Sequence, residues 1–314
     1  MTGRILVTPR SLTEPGAAAA AVLQPLRDRG FELVFGPPGR VPTEAELAEL
    51  LPGCEGYLAG VETISADVLR HAGALRVIAR NGAGVDNVDL AAARRQNIAV
   101  ERAPGANAQA VAELALALML CGLRQIPASH TALREGRWVR VLGREAAGLT
   151  LGIVGFGAVG RRLAAATAGL RMRVRYHDVA PVEVAGLSPV PEPADLTALL
   201  AGSDVVSLHV PATSDGRPLL GAREIAGLRP GAVVVNTARA SLVDEPAMAA
   251  ALDAGPVSAY CTDVFADEPP RPSALLAHPR AVLSAHIGGY TRESSARAAA
   301  EAVKRLLSVL GRDT

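Results

Sequence analysis

Lysine is nearly absent from this 314-residue chain: of 32 basic residues only Lys304 is a lysine. That excludes a phosphate loop that needs a lysine after its glycines, and it weighs against Schiff-base chemistry. Aromatic residues are equally scarce, at 3%. Base-stacking platforms for nucleic acid are therefore not expected. No sign of charge dominates: the formal net charge is +1, which supplies no basic field for nucleic acid or anionic lipid. Three cysteines, Cys54, Cys121 and Cys261, have neither paired nor metal-type spacing, and no His/Asp/Glu cluster has ligand spacing. Buried thiols, no metal and a reducing, cytoplasmic compartment are the expectation. The apolar run Val111–Leu123 is too short for a bilayer and carries Glu113, so a buried helix is expected there and no membrane association. The opening stretch to Pro9 reads as a strand and a turn without a signal-peptide core.

What the chain does have is apolar material, 49% against 20% charged, enough for two cores in two domains. Residues 1–103 alternate strand signals (Ile5–Thr8, Glu32–Phe35, Gly56–Ala59, Arg76–Ala79, Ile98–Val100) with helix signals (Thr43–Leu50, Ser65–His71, Asp89–Gln96). Thr43 with Glu46, and Ser65, suit N-caps. Such alternation predicts an α/β domain with a mostly parallel sheet. Pro104-Gly105 marks a boundary, and a long helix follows from Asn107. A second series then supplies six strands: Thr150–Val154, Arg173–His177, Val205–Leu208, Val233–Asn236, Val257–Cys261 and Ala281–Ser284. The last helix, Arg292–Leu310, adds no strand and is placed back on the first domain. The expected architecture is two Rossmann-like domains around a cleft. Residues 1–103 with 286–314 form a discontinuous, flavodoxin-like substrate domain, and 104–285 a doubly wound dinucleotide domain.

The turn Gly155-Phe156-Gly157-Ala158-Val159-Gly160 lies between a β run and a helical run. In that setting Gly155 suits the tight turn, Gly157 a close approach to a pyrophosphate, and Gly160 close helix–strand packing. Asp178 follows at the end of the next strand, where a carboxylate accepts the ribose hydroxyls and repels a 2′-phosphate. NAD is the expected cofactor. His209, with Val210 and Pro211 after it, ends a strand near the same place.

The last third of the chain carries Arg239 in Asn236-Thr237-Ala238-Arg239, Glu268 in Asp263-Val-Phe-Ala-Asp-Glu268, and His286 in His286-Ile287-Gly288-Gly289. Reduction of a 2-oxo acid leaves negative charge on the carbonyl oxygen, and an imidazolium can protonate it. His286 is the candidate acid/base. Glu268 would hold the ring and favour its charged form. Arg239 offers a planar fork for a carboxylate.

With these motifs, together with Asn81-Gly82-Ala83-Gly84-Val85-Asp86, Pro104–Glu113, Val243-Asp244-Glu245 and Glu268-Pro269, the chain resembles the D-isomer-specific 2-hydroxyacid dehydrogenase family that includes phosphoglycerate dehydrogenase. The resemblance covers nearly the whole length. It implies hydride transfer between nicotinamide C4 and C2 of a small 2-hydroxy or 2-oxo acid, with Arg239 on the substrate carboxylate, His286 as acid/base and Glu268 as its partner. Asp263 should hold the nicotinamide carboxamide, Ala238 lie beside the ring and Asp178 take the ribose. Backbone N–H groups of Gly82, Ala83 and Gly84, next to Asn81, should bind the substrate carboxylate. A homodimer through the nucleotide domains is implied, with Trp138 loosely matching a residue that reaches the partner. The chain stops at Thr314, so a short form without a regulatory domain is expected. Where phosphoglycerate-using members carry Arg and Ser, this chain reads Ala59-Gly60-Val61-Glu62, with Arg80 remaining on the neighbouring strand. Ser241, Tyr260-Cys261-Thr262 and Tyr290 are further departures, expected to line or flank the cleft. They predict a subfamily of open substrate identity. The rival expectation is an NADH-sensing, corepressor-like binding protein on the same fold.

Overall fold

The computed structural model describes residues 3–14 and 16–311. It divides into two units, one of Met1–Asn107 with Gly289–Thr314, the other of Ala108–Gly288.

The first unit is built on five parallel strands: β1 (Arg4–Val7), β2 (Glu32–Phe35), β3 (Cys54–Ala59), β4 (Val77–Arg80) and β5 (Ala99–Glu101). Their order is β2-β1-β3-β4-β5. Side chains alternate between the two faces, as strand geometry requires. Ile5, Val7, Leu58, Val77 and Ala79 pack with the helices Ala17–Asp28 and Arg292–Leu310. Leu6, Tyr57, Ala59 and Ile78 face the other way, towards Leu47, Val68 and Ala92 of the short helices. Both faces are apolar, so the strands read as near-continuous hydrophobic runs. Each fully buried Leu, Ile or Val is worth about 1.5–3 kcal/mol. Thr43 closes a capping box with Glu46, and Ser65 and Asp89 cap the next two helices.

The second unit holds seven parallel strands: β6 (Thr150–Val154), β7 (Arg173–His177), β8 (Glu192–Pro193), β9 (Val205–Leu208), β10 (Ala232–Asn236), β11 (Val257–Thr262) and β12 (Ala281–Leu283). The order is β12-β11-β10-β9-β6-β7-β8, so the chain reverses direction across the sheet between β6 and β9. That is the doubly wound dinucleotide-binding order, with its ligand crevice at the reversal. Leu151, Ile153, Val233 and Val235 pack under the helices Ala108–Arg124 and Ala158–Thr167. Val154, Val206, Leu208 and Val234 fill the opposite face with Leu199, Ile225, Met248 and Leu252.

Three expectations need correction. The helix Ala17–Asp28 was not foreseen, because Pro25 lies inside it and removes one hydrogen-bond donor. Its apolar residues Leu23 and Leu26 nevertheless bury fully on the sheet. A seventh strand, the two-residue β8, completes the edge beyond β7. The unit boundaries fall at Asn107/Ala108 and Gly288/Gly289 rather than at 104 and 286. The later crossing has a physical cause: Ile287 and Gly288 donate to Asp263, which ties the His286 loop to the second unit.

Candidate active site

At the reversal of the second sheet the glycine turn joins β6 to the helix Ala158–Thr167. Gly155 has a φ of 91°, and a Cβ there would stand 2.6 Å from the His209 carbonyl oxygen at the end of β9. A Cβ on Gly160 would lie 2.4 Å from the Gly155 oxygen and 2.9 Å from Ile153. Both glycines are demanded by the chain's own packing. Gly157 is different: a Cβ there would meet nothing within 4 Å. The space in front of it is open, at the N-terminus of a ten-residue helix whose first N–H groups suit a phosphate. Asp178 accepts from the Phe156 N–H at 2.7 Å and the Ala180 N–H at 3.0 Å, so it also braces the turn. Thr237 Oγ1, at the end of β10, is buried without a hydrogen-bond partner, a deficit that a ligand group would fill. These features fit a dinucleotide.

His209 keeps some exposure, yet burial lowers its pKa from 6.5 to about 4. Its Nε2 lies 2.9 Å from Ser207 Oγ. The ring is therefore neutral at pH 7 and makes no ion pair with a phosphate. Its folded pKa is depressed, so the unfolded chain takes the proton first. The stability tied to the neutral ring is whole above pH 6.5 and is lost as pH falls towards 4, by about 2 kcal/mol at pH 5. His209→Gln should melt with a smaller loss of Tm between pH 7.5 and pH 5 than the parent; equal losses would contradict this.

The ends of β10 and β11 carry the polar groups. Asn236, fully buried, folds the turn that carries Arg239: its Oδ1 accepts from the Ala238 N–H at 3.1 Å and its Nδ2 donates to the Arg239 oxygen at 2.9 Å. Arg239 borders an open hollow of about 410 Å³ with Ser241, Glu245, Phe265 and Ala266. The Phe265 N–H donates to Glu268 Oε1 at 3.2 Å, so the hollow adjoins the acid. His286 Nδ1 stands 2.8 and 2.7 Å from Glu268 Oε1 and Oε2. Both contacts use Nδ1, which leaves Nε2 for a reacting oxygen. The His286 and Glu268 side chains are 53% and 39% exposed, so the pair is open to an incoming molecule.

In the first unit, the loop after β4 has Asn81 Oδ1 buried without a partner. The Gly82 N–H is engaged by the Arg80 oxygen at 2.8 Å. Ala83 and Gly84 carry no such bond among the described residues, so two of the three expected donors are open. Glu62 is not offered to a ligand. It is 2% exposed and accepts from the Tyr57 hydroxyl at 2.6 Å, the Gly60 N–H at 2.8 Å and the Thr8 hydroxyl.

The structure therefore corrects two expectations about departures. Glu62 is turned inward, and Tyr260, Cys261 and Thr262 are buried in β11, where the strand packs on both faces. Burial raises the Cys261 thiol, and the Tyr260 hydroxyl rises to about 12. Ser241, in contrast, borders the hollow beside Arg239. Sequence reasoning had named Asn236 only as part of a motif. Its strand-end position before a turn was the available signal for its structural role.

The family model described as "D-isomer specific 2-hydroxyacid dehydrogenase, NAD binding domain" matches residues 116–288. The hydroxypyruvate reductase of Thermotoga maritima is 36% identical over 272 residues, 85% of this chain and 88% of that protein. The D-3-phosphoglycerate dehydrogenase of Archaeoglobus fulgidus is 38% identical over 257 residues, 79% of this chain. This chain spans about half, 48%, of that longer relative. The crystal structure of a glyoxylate reductase from Paecilomyes thermophila superposes with a TM-score of 0.85 at 29% identity, covering 98% of this chain and 95% of that one. With a doubly wound sheet, a glycine turn that fits NAD and this degree of identity, the chain belongs to the D-isomer-specific 2-hydroxyacid dehydrogenase family of NAD-dependent oxidoreductases.

Proposed function

We propose that this protein interconverts a small 2-hydroxy acid and its 2-oxo acid with NAD, using His286 as acid/base, Glu268 as its partner and Arg239 as the carboxylate clamp. The observation that carries the reading is the His286–Glu268 pair, formed beside the hollow that Arg239 borders. When bound, the nicotinamide supplies or accepts the hydride at C2. Arg239 pairs with the substrate carboxylate through its fork and orients C2. His286 Nε2 gives its proton to the developing alkoxide in reduction and takes it back in oxidation. Glu268 on Nδ1 fixes the ring orientation and leaves Nε2 for the reacting oxygen. The glycine turn, Asp178, Thr237 and the region of His209–Pro211 hold the dinucleotide.

The stretch Ala59-Gly60-Val61-Glu62, where members that use 3-phosphoglycerate carry Arg and Ser, favours an unphosphorylated side group on C2. NADH oxidation against glyoxylate, hydroxypyruvate, phenylpyruvate and phosphohydroxypyruvate tests the proposal. Turnover of one of the first three, ahead of the phosphorylated acid, supports it. Tight NADH binding with no turnover of any oxo acid would overturn it in favour of the NADH-sensing role.

The proposal includes a cytoplasmic homodimer. The support for the dimer is a group of apolar side chains in the second unit, interrupted by Arg140, that one copy leaves exposed: Trp138 is 81% and Leu142 99% accessible, with Val139 and Val141 between them. Such groups mark association surfaces. In sedimentation, the parent should run as a dimer and the Trp138→Ser/Leu142→Ser double variant as a monomer. A monomeric parent would rule the dimer out.

A further inference from the structure

His286 carries a left-handed backbone, φ 51°, that a residue with a side chain rarely adopts. Something must hold it there. The chain on both sides of His286 converges on one buried carboxylate. Asp263, 1% exposed at the end of β11, accepts through Oδ1 from the Ser284 hydroxyl at 2.6 Å and the Ile287 N–H at 2.8 Å. Through Oδ2 it accepts from the Gly288 N–H at 2.7 Å. The fit is tight, since a Cβ on Gly288 would lie 3.0 Å from Oδ2 and 3.5 Å from Val111. Asp263 itself is anchored, its N–H donating to the Asn236 oxygen at 3.1 Å. That oxygen belongs to the residue whose side chain shapes the Arg239 turn.

We propose that Asp263 is a positioning residue for proton transfer: its carboxylate grips residues 284, 287 and 288, and so imposes the backbone conformation that seats the His286 imidazole on Glu268. Three of its roughly four lone-pair sites are already taken by the loop. The resemblance to relatives assigns this residue to the nicotinamide carboxamide. The clamp gives it a second duty, exercised through His286. Released from it, the loop can relax to negative φ, and the imidazole loses its register with both Glu268 and the reacting oxygen. The inference rests on the proposed acid/base role of His286.

Asp263→Asn keeps size and shape but sets an amide NH2 against one of the donors that the carboxylate accepts. Turnover should fall ~10–100-fold, because a displacement of about 1 Å at a catalytic group costs on the order of 100-fold. The KM for the oxo acid should stay within about threefold, since Arg239 is untouched, and the Kd for NADH should rise by less than turnover falls, since the carboxamide is one contact among those of the dinucleotide. The distinguishing measurement is a double-mutant cycle. If Asp263 acts through His286, adding Asp263→Asn to His286→Ala should lower the residual turnover no further. Ser284→Ala removes one of the three contacts and keeps the cycle available should Asp263→Asn fail to fold; it should give a smaller, equally non-additive loss. Full additivity, or an NADH Kd raised tenfold or more with turnover kept, would overturn the clamp. Undiminished activity in His286→Ala alone would instead overturn the functional reading beneath it.

Discussion

Replacing His286 with alanine should lower turnover by ~10²–10⁴-fold while NADH binding stays intact. The size follows from what the side chain does in the proposed reaction. Without it the developing alkoxide must draw its proton from water, and the general-acid contribution is lost. Binding should survive, because the dinucleotide features lie elsewhere: the glycine turn after β6, Asp178 after β7 and the unpartnered Thr237 hydroxyl. Fluorescence titration with NADH and steady-state kinetics on the same preparation separate the two quantities. Glu268→Gln should give a smaller loss in the same direction. The ring would keep a hydrogen-bond partner at Nδ1 but exchange a bond to a carboxylate for a weaker one to a neutral amide. A His286→Ala protein as active as the parent would end the assignment.

The second large effect is expected at Arg239. Arg239→Ala should reduce kcat/KM for the oxo acid by ~10²–10³-fold, about 3–4 kcal/mol of transition-state binding, as expected for losing a charge-assisted pair. Arg239→Lys should recover only part of it, because an ammonium lacks the planar fork that meets two carboxylate oxygens. The hollow that Arg239 borders has Glu245 on its wall, so removing the arginine also tips the local charge against an anionic substrate. Here KM should rise together with the fall in kcat, in contrast to the His286 variant. An unchanged kcat/KM in Arg239→Ala would remove the clamp from the mechanism.

Much of this architecture was legible along the chain because it depends on short-range patterns. Strand runs such as Val205–Leu208 and Val233–Asn236, and caps such as Thr43 with Glu46, lie within a few residues of one another. The glycine turn was readable because Gly155, Gly157 and Gly160 fall within six residues of chain between a β run and a helical run, although the carbonyl that crowds Gly155 arrives from His209 on another strand. The helix Ala17–Asp28 was not readable. Pro25 argues against it locally, and only burial of Leu23 and Leu26 on the distant sheet decides in its favour. Glu62 makes the same point for the site. As a letter it looked like an acid offered to substrate; its hydroxyl partners Thr8 and Tyr57 arrive from separate strands and turn it inward.

By itself, then, the sequence determined which chemistry is available: the types and order of Arg239, Glu268 and His286, and the βα alternation that puts such residues at strand ends. Tertiary structure alone decided their arrangement. The partner of His286 is eighteen residues away, and the carboxylate that grips its loop is twenty-one to twenty-five residues from the groups it holds. Those distances close only when β10, β11 and β12 align in register. Side-chain type is local information, whereas burial, hydrogen-bond partnership and the left-handed turn at His286 are consequences of packing between segments far apart in the chain.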